Sequence, residues 1–284
     1  MPELPEVEHL RRSLVPLLLG KQFFHAALNR EDILTRLGAK RSLHLALLKD
    51  GVVRALHRCG KNLALEMCDG RVLAVHLGMS GQFLVLSAGE YKDRALTHAH
   101  AVWQFGAPSQ KTPVYYLVFR DPRRFGGITS APDMETLLRL RWSKLGPDAL
   151  SLTHEFLAAC LISKVRTLKA TLLDQSVIAG LGNIYVDEAL FAARLHPTRN
   201  PASLESEDVR RLHRAIRTIL ARAVSAGGSS IRDYLDGKGE RGSYATRHQV
   251  YGRAGEACRR CGTILESAAV AQRTTVWCPQ CQAR

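Results

Sequence analysis

Four cysteines near the carboxyl end carry the plainest chemistry in the chain. Cys258 and Cys261 form one Cys-x-x-Cys pair and Cys278 and Cys281 a second, with 16 residues between them. Each pair can present two sulfurs from one tight turn, and the spacer suffices for a hairpin that closes both pairs on a tetrahedral Zn2+. Four thiolates leave no open coordination position, so the single zinc they predict is structural. A segment this short buries little core, and metal binding would supply much of its folding free energy. Between the pairs stands Arg273, flanked by Gln272 and Thr274. A two-stranded ribbon could carry its guanidinium to nucleic acid, and a solvated arginine on a small hairpin fits the same residues.

The other end of the chain offers a nucleophile. Met1 precedes Pro2, and a small second residue permits removal of the initiator methionine. Pro2 would then carry the terminal amine, whose pKa of about 8 leaves it substantially unprotonated at neutral pH, unlike a lysine at about 10.4. Such a secondary amine can attack an electrophilic sugar carbon and form an iminium. Glu3 beside it could protonate a departing oxygen or base. Position alone assigns neither role.

Around these ends the patterning predicts an α+β protein. Glu6 to Val15 reads as a first helix with Val7, Leu10 and Leu14 on one face and Pro16 closing it. From Lys21 to Thr129 short strand-like runs follow, Leu43–Leu48, Val72–Leu77, Phe83–Leu86 and Tyr115–Phe119, separated by Gly, Asp and Pro turns. They predict a mostly antiparallel two-sheet sandwich. Beyond Ala131-Pro132 the texture turns helical: Leu137, Leu138 and Leu140, then Glu155–Ile162, Ile184–Phe191 and Leu204–Ala226. In the last, Val209, Leu212, Ile216, Ile219, Leu220 and Ala223 make an apolar stripe. Its arginines, Arg210, Arg211, Arg214, Arg217 and Arg222, read as a solvated face. Residues 229–242, rich in Gly, Ser and charge, read as a loop. The divisions this suggests are 1–131 for the sandwich, 132–150 for a linker, 151–242 for a helical domain and 243–284 for the zinc ribbon.

The 284 residues suffice for two buried cores, and a 46% apolar with 23% charged composition excludes a disordered or fibrous chain. Forty Lys and Arg against 26 Asp and Glu give a net charge of +14, which favours a polyanionic partner, nucleic acid first. No run reaches the roughly 18 apolar residues of a membrane span, so no membrane partner is expected. Glu3 and Glu6 stand where a secretory signal carries basic residues, which points to a cytoplasmic location. Seven cysteines, an odd number, fit a reducing compartment, with Cys59, Cys68 and Cys160 read as core residues.

The string Pro2-Glu3-Leu4-Pro5-Glu6-Val7-Glu8 resembles the opening of the formamidopyrimidine-DNA glycosylases. The resemblance continues through Gly60-Lys61-Asn62, His76-Leu77-Gly78-Met79-Ser80-Gly81, Asp121-Pro122-Arg123-Arg124-Phe125-Gly126, Asp174-Gln175, Gly180-Leu181-Gly182-Asn183-Ile184-Tyr185 and Val250-Tyr251-Gly252-Arg253. It covers nearly the whole chain. It implies a bacterial base-excision-repair enzyme, associated with the nucleoid through its DNA, that removes oxidised purines from duplex DNA and cuts the strand at the abasic site. Pro2 would be the nucleophile, Glu3 its acid-base partner and Lys61 a phosphate contact that assists elimination.

The same resemblance implies that Met79, Arg123 and Phe125 fill the gap left by the everted nucleotide, Arg123 hydrogen-bonding the orphaned cytosine. Without it, Met79 and Phe125 would read as core. It further implies a helix-two-turns-helix element in which Asn183, at a helix start, favours an anion, with Lys169 and Arg273 as phosphate contacts. Ser229-Ser230-Ile231-Arg232 resembles the start of the lesion-sensing loop. His98 and His100 match no motif and read as strand residues without a metal. The expected partner is double-stranded DNA carrying oxidised bases or abasic sites, bound by a monomer. Two rivals stand beside this reading. One is a pyrimidine-preferring enzyme of the endonuclease VIII kind, against which Leu4 and the Met, Arg, Phe combination argue. The other is a non-catalytic zinc-ribbon protein that binds damaged DNA, against which Pro2, Glu3 and Lys61 argue.

Overall fold

Helix α1 (Leu4–Leu18) begins where Glu3, in extended backbone, closes a capping box with Glu6. It buries Leu4, Val7, Leu10, Leu14 and Leu18 along one face. The sequence reading ends this helix at Pro16, whereas it runs two residues further. Proline deletes one donor, but Leu19 N–H still bonds the Val15 carbonyl at 3.0 Å and Leu18 is wholly buried, which holds the last turn. The computed structural model describes residues 2–38, 42–93, 96–110, 113–162, 166–229, 237, 239 and 242–283. The chain divides into two compact units, Met1–Lys144 with Ala226–Ser243, and Leu145–Ser225 with Tyr244–Arg284.

In the first unit the chain continues through β1 (Gln22–Leu28), β2 (Leu34–Arg36), α2 (Leu43–Ala46), β3 (Val53–Cys59), β4 (Asn62–Met67), β5 (Val72–His76), β6 (Gln82–Ser87), α3 (Ala88–Asp93), β7 (Ala99–Gly106), β8 (Tyr115–Arg120), β9 (Gly127–Ala131) and α4 (Met134–Leu140). The strands make two sheets, ordered β1-β7-β8-β6 and β2-β9-β5-β4-β3. Every pairing is antiparallel except β2 with β9. One core joins both sheets to α1: Phe23, Phe83, Trp103, Phe105 and Phe119 from the first sheet, Leu63, Leu65, Leu73 and Val75 from the second. The other face of the second sheet is covered too, with Ala64, Val72 and Ala74 packed on Leu137 of α4. The run Leu43–Leu48, read as a strand, is instead a helical turn. The Ser42 hydroxyl caps it by accepting the Leu45 N–H at 3.4 Å, and the Trp103 indole N–H bonds the Leu47 carbonyl at 2.9 Å. A short apolar run carries no period by itself, so the capping serine decides.

The second unit holds α5 (His154–Ile162), α6 (Leu168–Leu173), α7 (Asn183–Ala193), α8 (Ser206–Ser225) and a hairpin of β10 (Glu266–Val270) and β11 (Arg273–Trp277). Helix α7 is buried along almost its whole length. Its Phe191 shares a core with Val250, Cys258, Leu265, Val276 and Cys278, so the ribbon packs on α7. The Glu188 carboxylate anchors the approach to the ribbon by accepting the N–H groups of Gln249, Val250 and Tyr251, each within 3.0 Å. Ser229 and Gly237, in the segment 229–242 that composition places with the helices, make their contacts in the first unit. Ser229 N–H bonds Glu6 of α1, and Gly237 bonds both Ser13 of α1 and Val85 of β6, so these residues belong to the first unit. Cys68 is exposed and Cys59 and Cys160 are half-buried, unlike the core cysteines read from the sequence. Among the described residues no helix is long and apolar enough to cross a membrane.

Candidate functional site

Pro2 and Glu3 are buried at the head of α1. The Glu3 carboxylate accepts a backbone N–H from the first turn, and its own N–H donates to Glu6 Oε2 at 2.8 Å. The second oxygen of Glu6 accepts the Ser229 N–H at 2.7 Å. One buried carboxylate thus holds both the start of the chain and the first residue of the segment resembling a lesion loop. The fit excludes a side chain at Gly228, where a Cβ would lie 2.6 Å from Glu6 Oε1. Ser230 and Arg232, the other expected loop residues, lie outside the described residues.

Lys61 sits in a two-residue hairpin turn, since Cys59 pairs with Asn62 across β3 and β4. Gly60 has a φ of 56°, which suits the first central position of a type II′ turn. The turn and the rim of β5 bring Lys61 near His76, and the two act on each other electrically. Burial lowers the His76 pKa and the Lys61 charge lowers it further, so the imidazole is neutral at pH 7. Its Nδ1 accepts the Gly78 N–H at 3.2 Å. The sequence reading had His76 only as a letter in a motif; its cross-strand pairing with Asn62 is what makes it a neighbour of Lys61.

Met79, Arg123 and Phe125 come from two loops that are locked to each other. Ser80 Oγ donates to Asp121 Oδ1 at 2.6 Å and accepts the Arg123 N–H at 3.1 Å, while Asp121 Oδ2 accepts the Gly126 N–H at 2.7 Å. Gly78 lies so close to the second loop that a Cβ would fall 2.3 Å from the Phe125 carbonyl carbon. His100, buried in β7, bonds the Asp121 carbonyl at 2.8 Å, which gives that histidine a supporting role; His98 lies just before the strand. The result is an edge where Phe125 is 57% and Met79 37% exposed, with the Arg123 guanidinium 5.2 Å from the Phe125 ring centre. Exposed large apolar side chains on a rigid mount are suited to insertion between bases.

In the second unit the structure gathers Lys169, Asn183 and Arg273. Lys169 Nζ donates to the Thr274 carbonyl at 3.4 Å and Asn183 Nδ2 to the same oxygen at 2.9 Å. Arg273, the preceding residue, is exposed at the hairpin tip, after Ala271 and Gln272 with φ of 51° and 57°. Lys169 is a residue that the resemblance gives as a phosphate contact. It is fully buried, paired at 2.6 Å with Asp187, whose second oxygen accepts the Val276 N–H at 3.2 Å. Burial pushes the Asp187 carboxyl up to about 7 against the pull of the Lys169 ammonium. Lys169 thus steadies the hairpin rather than presenting its charge. Asn183 is the first residue of α7, whose N-cap, Gly182, supplies no side-chain acceptor. The positive end of the helix dipole there suits an anion. Gln175 sets the preceding turn by donating to the Leu181 carbonyl at 2.8 Å and accepting the Gly180 N–H at 3.0 Å.

The sulfurs of Cys258, Cys261, Cys278 and Cys281 all lie within 4.8 Å of one another. Cys261 Sγ is 3.5 Å from Cys278 Sγ and 3.4 Å from Cys281 Sγ. Zn–S bonds of about 2.3 Å in a tetrahedron place sulfurs about 3.8 Å apart, close to this spacing. The N–H groups of Arg260 and Cys281 point at Cys258 Sγ and Cys278 Sγ, as they would at thiolates. The donor set fits one structural zinc.

Comparison with known proteins agrees along the chain. Residues 1–128 match the formamidopyrimidine-DNA glycosylase N-terminal domain, 145–234 the formamidopyrimidine-DNA glycosylase H2TH domain, and 255–284 the zinc finger found in FPG and IleRS. A formamidopyrimidine-DNA glycosylase of Geobacillus kaustophilus is 40% identical, covering 99% of this chain and all of its own. A Lactococcus lactis FPG variant, solved with a Fapy-dG containing DNA, is 30% identical, with a TM-score of 0.88 and full coverage of both chains. MutM in complex with carbocyclic 8-oxo-G containing DNA gives a TM-score of 0.86 at 30% identity, again over both whole chains.

Proposed function

The chain belongs to the formamidopyrimidine-DNA glycosylase family, and from that premise we propose that it excises oxidised purines from duplex DNA and then cleaves the strand as an abasic-site lyase. The observation that carries this reading is the combination, within one unit, of a buried Pro2-Glu3 start and an exposed, rigidly mounted edge of Met79, Arg123 and Phe125. The edge would hold the helix open while the lesion is everted. The relatives solved with Fapy-dG and 8-oxo-G containing DNA support the purine class.

In the mature chain Pro2 supplies a free secondary amine. Its lone pair forms a bond to C1′ of the damaged nucleoside as the bond to the base breaks, and the base leaves with a proton. Glu3 protonates O4′ as the sugar ring opens, leaving an iminium between Pro2 and C1′. Loss of a C2′ proton then expels the 3′ phosphate, and a second elimination expels the 5′ phosphate. Lys61, beside the neutral His76, meets the backbone phosphate that departs. Arg273 and the start of α7 would hold flanking phosphates, with Lys169 and Asn183 fixing the hairpin that carries Arg273. Zinc supplies only the fold of that hairpin. Main-chain groups from Ser229 onward would read the everted base.

Borohydride trapping on a duplex with one 8-oxoguanine opposite cytosine, followed by mass spectrometry, tests the proposal. An adduct on Pro2 is expected. Trapping only with an oxidised pyrimidine would move the chain to the endonuclease VIII reading. Tight, salt-sensitive binding with no adduct on either substrate would leave a non-catalytic damage binder.

A further inference from the structure

Glu8 and Arg58 stand fifty positions apart, and their side chains are only 7% and 8% exposed. Arg58 Nε donates to Glu8 Oε2 at 3.0 Å, and its Nη1 donates to the Gly60 carbonyl, also at 3.0 Å. Glu8 lies on α1, five residues after Glu3, so a rigid helix connects it to the head of the chain. Gly60 supplies the peptide that precedes Lys61, and holding its carbonyl fixes the direction in which the Lys61 side chain leaves the turn. Arg11 and Arg12 also bond Glu8, at 2.8 Å each, but they are 29% and 57% exposed and belong to α1 itself. Arg11 also reaches the hairpin, at the Leu56 carbonyl of β3 at 3.5 Å, but Arg58 alone among the three bonds the turn itself, at the Gly60 carbonyl.

We infer that Arg58, braced by Glu8, is a positioning residue that sets the Lys61 turn against the helix bearing Pro2 and Glu3. The inference deepens the lyase reading above and rests on it. The chemistry demands the fork of a guanidinium: one N–H goes to the carboxylate and a second to the carbonyl in fixed relative directions. A lysine ammonium at the same position is a point charge that can pair with Glu8 without orienting the turn. An exposed ion pair would do little here, but this one is walled from water and its partners sit on two different elements.

Single-turnover assays of the full chain on the 8-oxoguanine duplex separate base excision from strand cleavage, with thermal midpoint and DNA affinity measured alongside. R58K is expected to keep wild-type thermal stability and affinity while strand cleavage, relative to base excision, falls about tenfold, as expected for a small misplacement of a reacting group. E8Q keeps the shape of Glu8, removes its charge and is expected to shift the same ratio in the same direction; it reports should R58K prove unstable. A wild-type ratio in both variants, or equal loss of both steps in parallel with thermal stability, would overturn the positioning role. Absence of any Pro2 adduct in the wild-type control is a separate result, which would remove the lyase reading and this inference with it.

Discussion

The two units fix their working residues by different means. In the first, buried carboxylates grip backbone N–H, hydroxyl and guanidinium groups: Glu6 holds Glu3 and Ser229, Asp121 holds the Ser80 hydroxyl and Gly126, and Glu8 holds Arg58. In the second, Glu188 and Asp187 grip backbone N–H groups in the same way, but the hairpin behind Arg273 has a very small core of its own and depends in addition on four cysteines and on α7. A site built on side-chain acceptors over a double sheet is insensitive to metal, whereas one built on a ribbon cannot outlast its ion. The largest expected effect follows. Stripping zinc, or C278A, should unfold the ribbon, since structural zinc contributes on the order of 10 kcal/mol to such modules. Hydrogen exchange should show residues 255–283 losing protection while the sandwich strands keep theirs. Equal loss in both units would abolish the contrast.

Asp121 is the corresponding weak point of the first unit. D121A strips partners from the Ser80 hydroxyl and from the N–H groups of Arg123 and Gly126. The Arg123 N–H keeps the Ser80 oxygen, so the cost falls on the buried Ser80 hydroxyl and the half-buried Gly126 N–H, about 3 kcal/mol in total. The loops bearing Met79 and Phe125 would loosen, so chemical denaturation should show the drop and damaged-DNA affinity should fall with the zinc site intact. A midpoint unchanged by D121A would mean that the glycine contact at Gly78 suffices to join the loops.

What could be read from the sequence divides along the same line. The zinc ligands were legible because all four lie within 24 residues and their spacing is itself the geometry. Helix α8 was legible because its stripe repeats at a helical period and all six positions are buried. Pro2, Met79 and Phe125 became legible only through the resemblance, since nothing in a proline after methionine, or in a loop phenylalanine, states its chemistry. The grip of Glu8 on Arg58 and of Asp187 on Lys169 was not legible at all. Such pairs depend on which residues the fold brings together, and local pattern is blind to partners 50 or 18 positions away. For the same reason the complete burial of Lys169, which the resemblance gives as a phosphate contact, was not legible.

Glu8 allows the first unit to be probed by pH. Burial by itself would raise its pKa, but hydrogen bonds from Arg11, Arg12 and Arg58 outweigh that and hold it at about 2, below the ordinary 4.5. A carboxylate depressed in the folded state adds stability that is fully present above its unfolded pKa and lost as pH falls through the folded one. The window is therefore about pH 4.5 down to about 2, and the contribution is about 3 kcal/mol. The E8Q variant should be less stable than wild type at pH 6 and should lose less on acidification. Parallel curves of thermal midpoint against pH for the two proteins would show that Glu8 titrates as in the unfolded chain.

The smallest effect concerns the hairpin tip, which carries strain that the Lys61 turn avoids. Gly60 fills the positive-φ position of the Lys61 turn, but the Arg273 turn puts Ala271 and Gln272 in that region, both side chains with a Cβ penalty there. Two-residue turns with positive φ at both positions favour Asn-Gly. Replacing the pair by A271N and Q272G together should stabilise the zinc-loaded protein by about 1 kcal/mol, seen as slower exchange of the Val270 and Arg273 amides. Both side chains are exposed and Arg273 is untouched, so phosphate binding read as salt dependence should be preserved. If stability rises and affinity falls, then the tip itself meets DNA, and its strained residues are there for contact rather than for the turn.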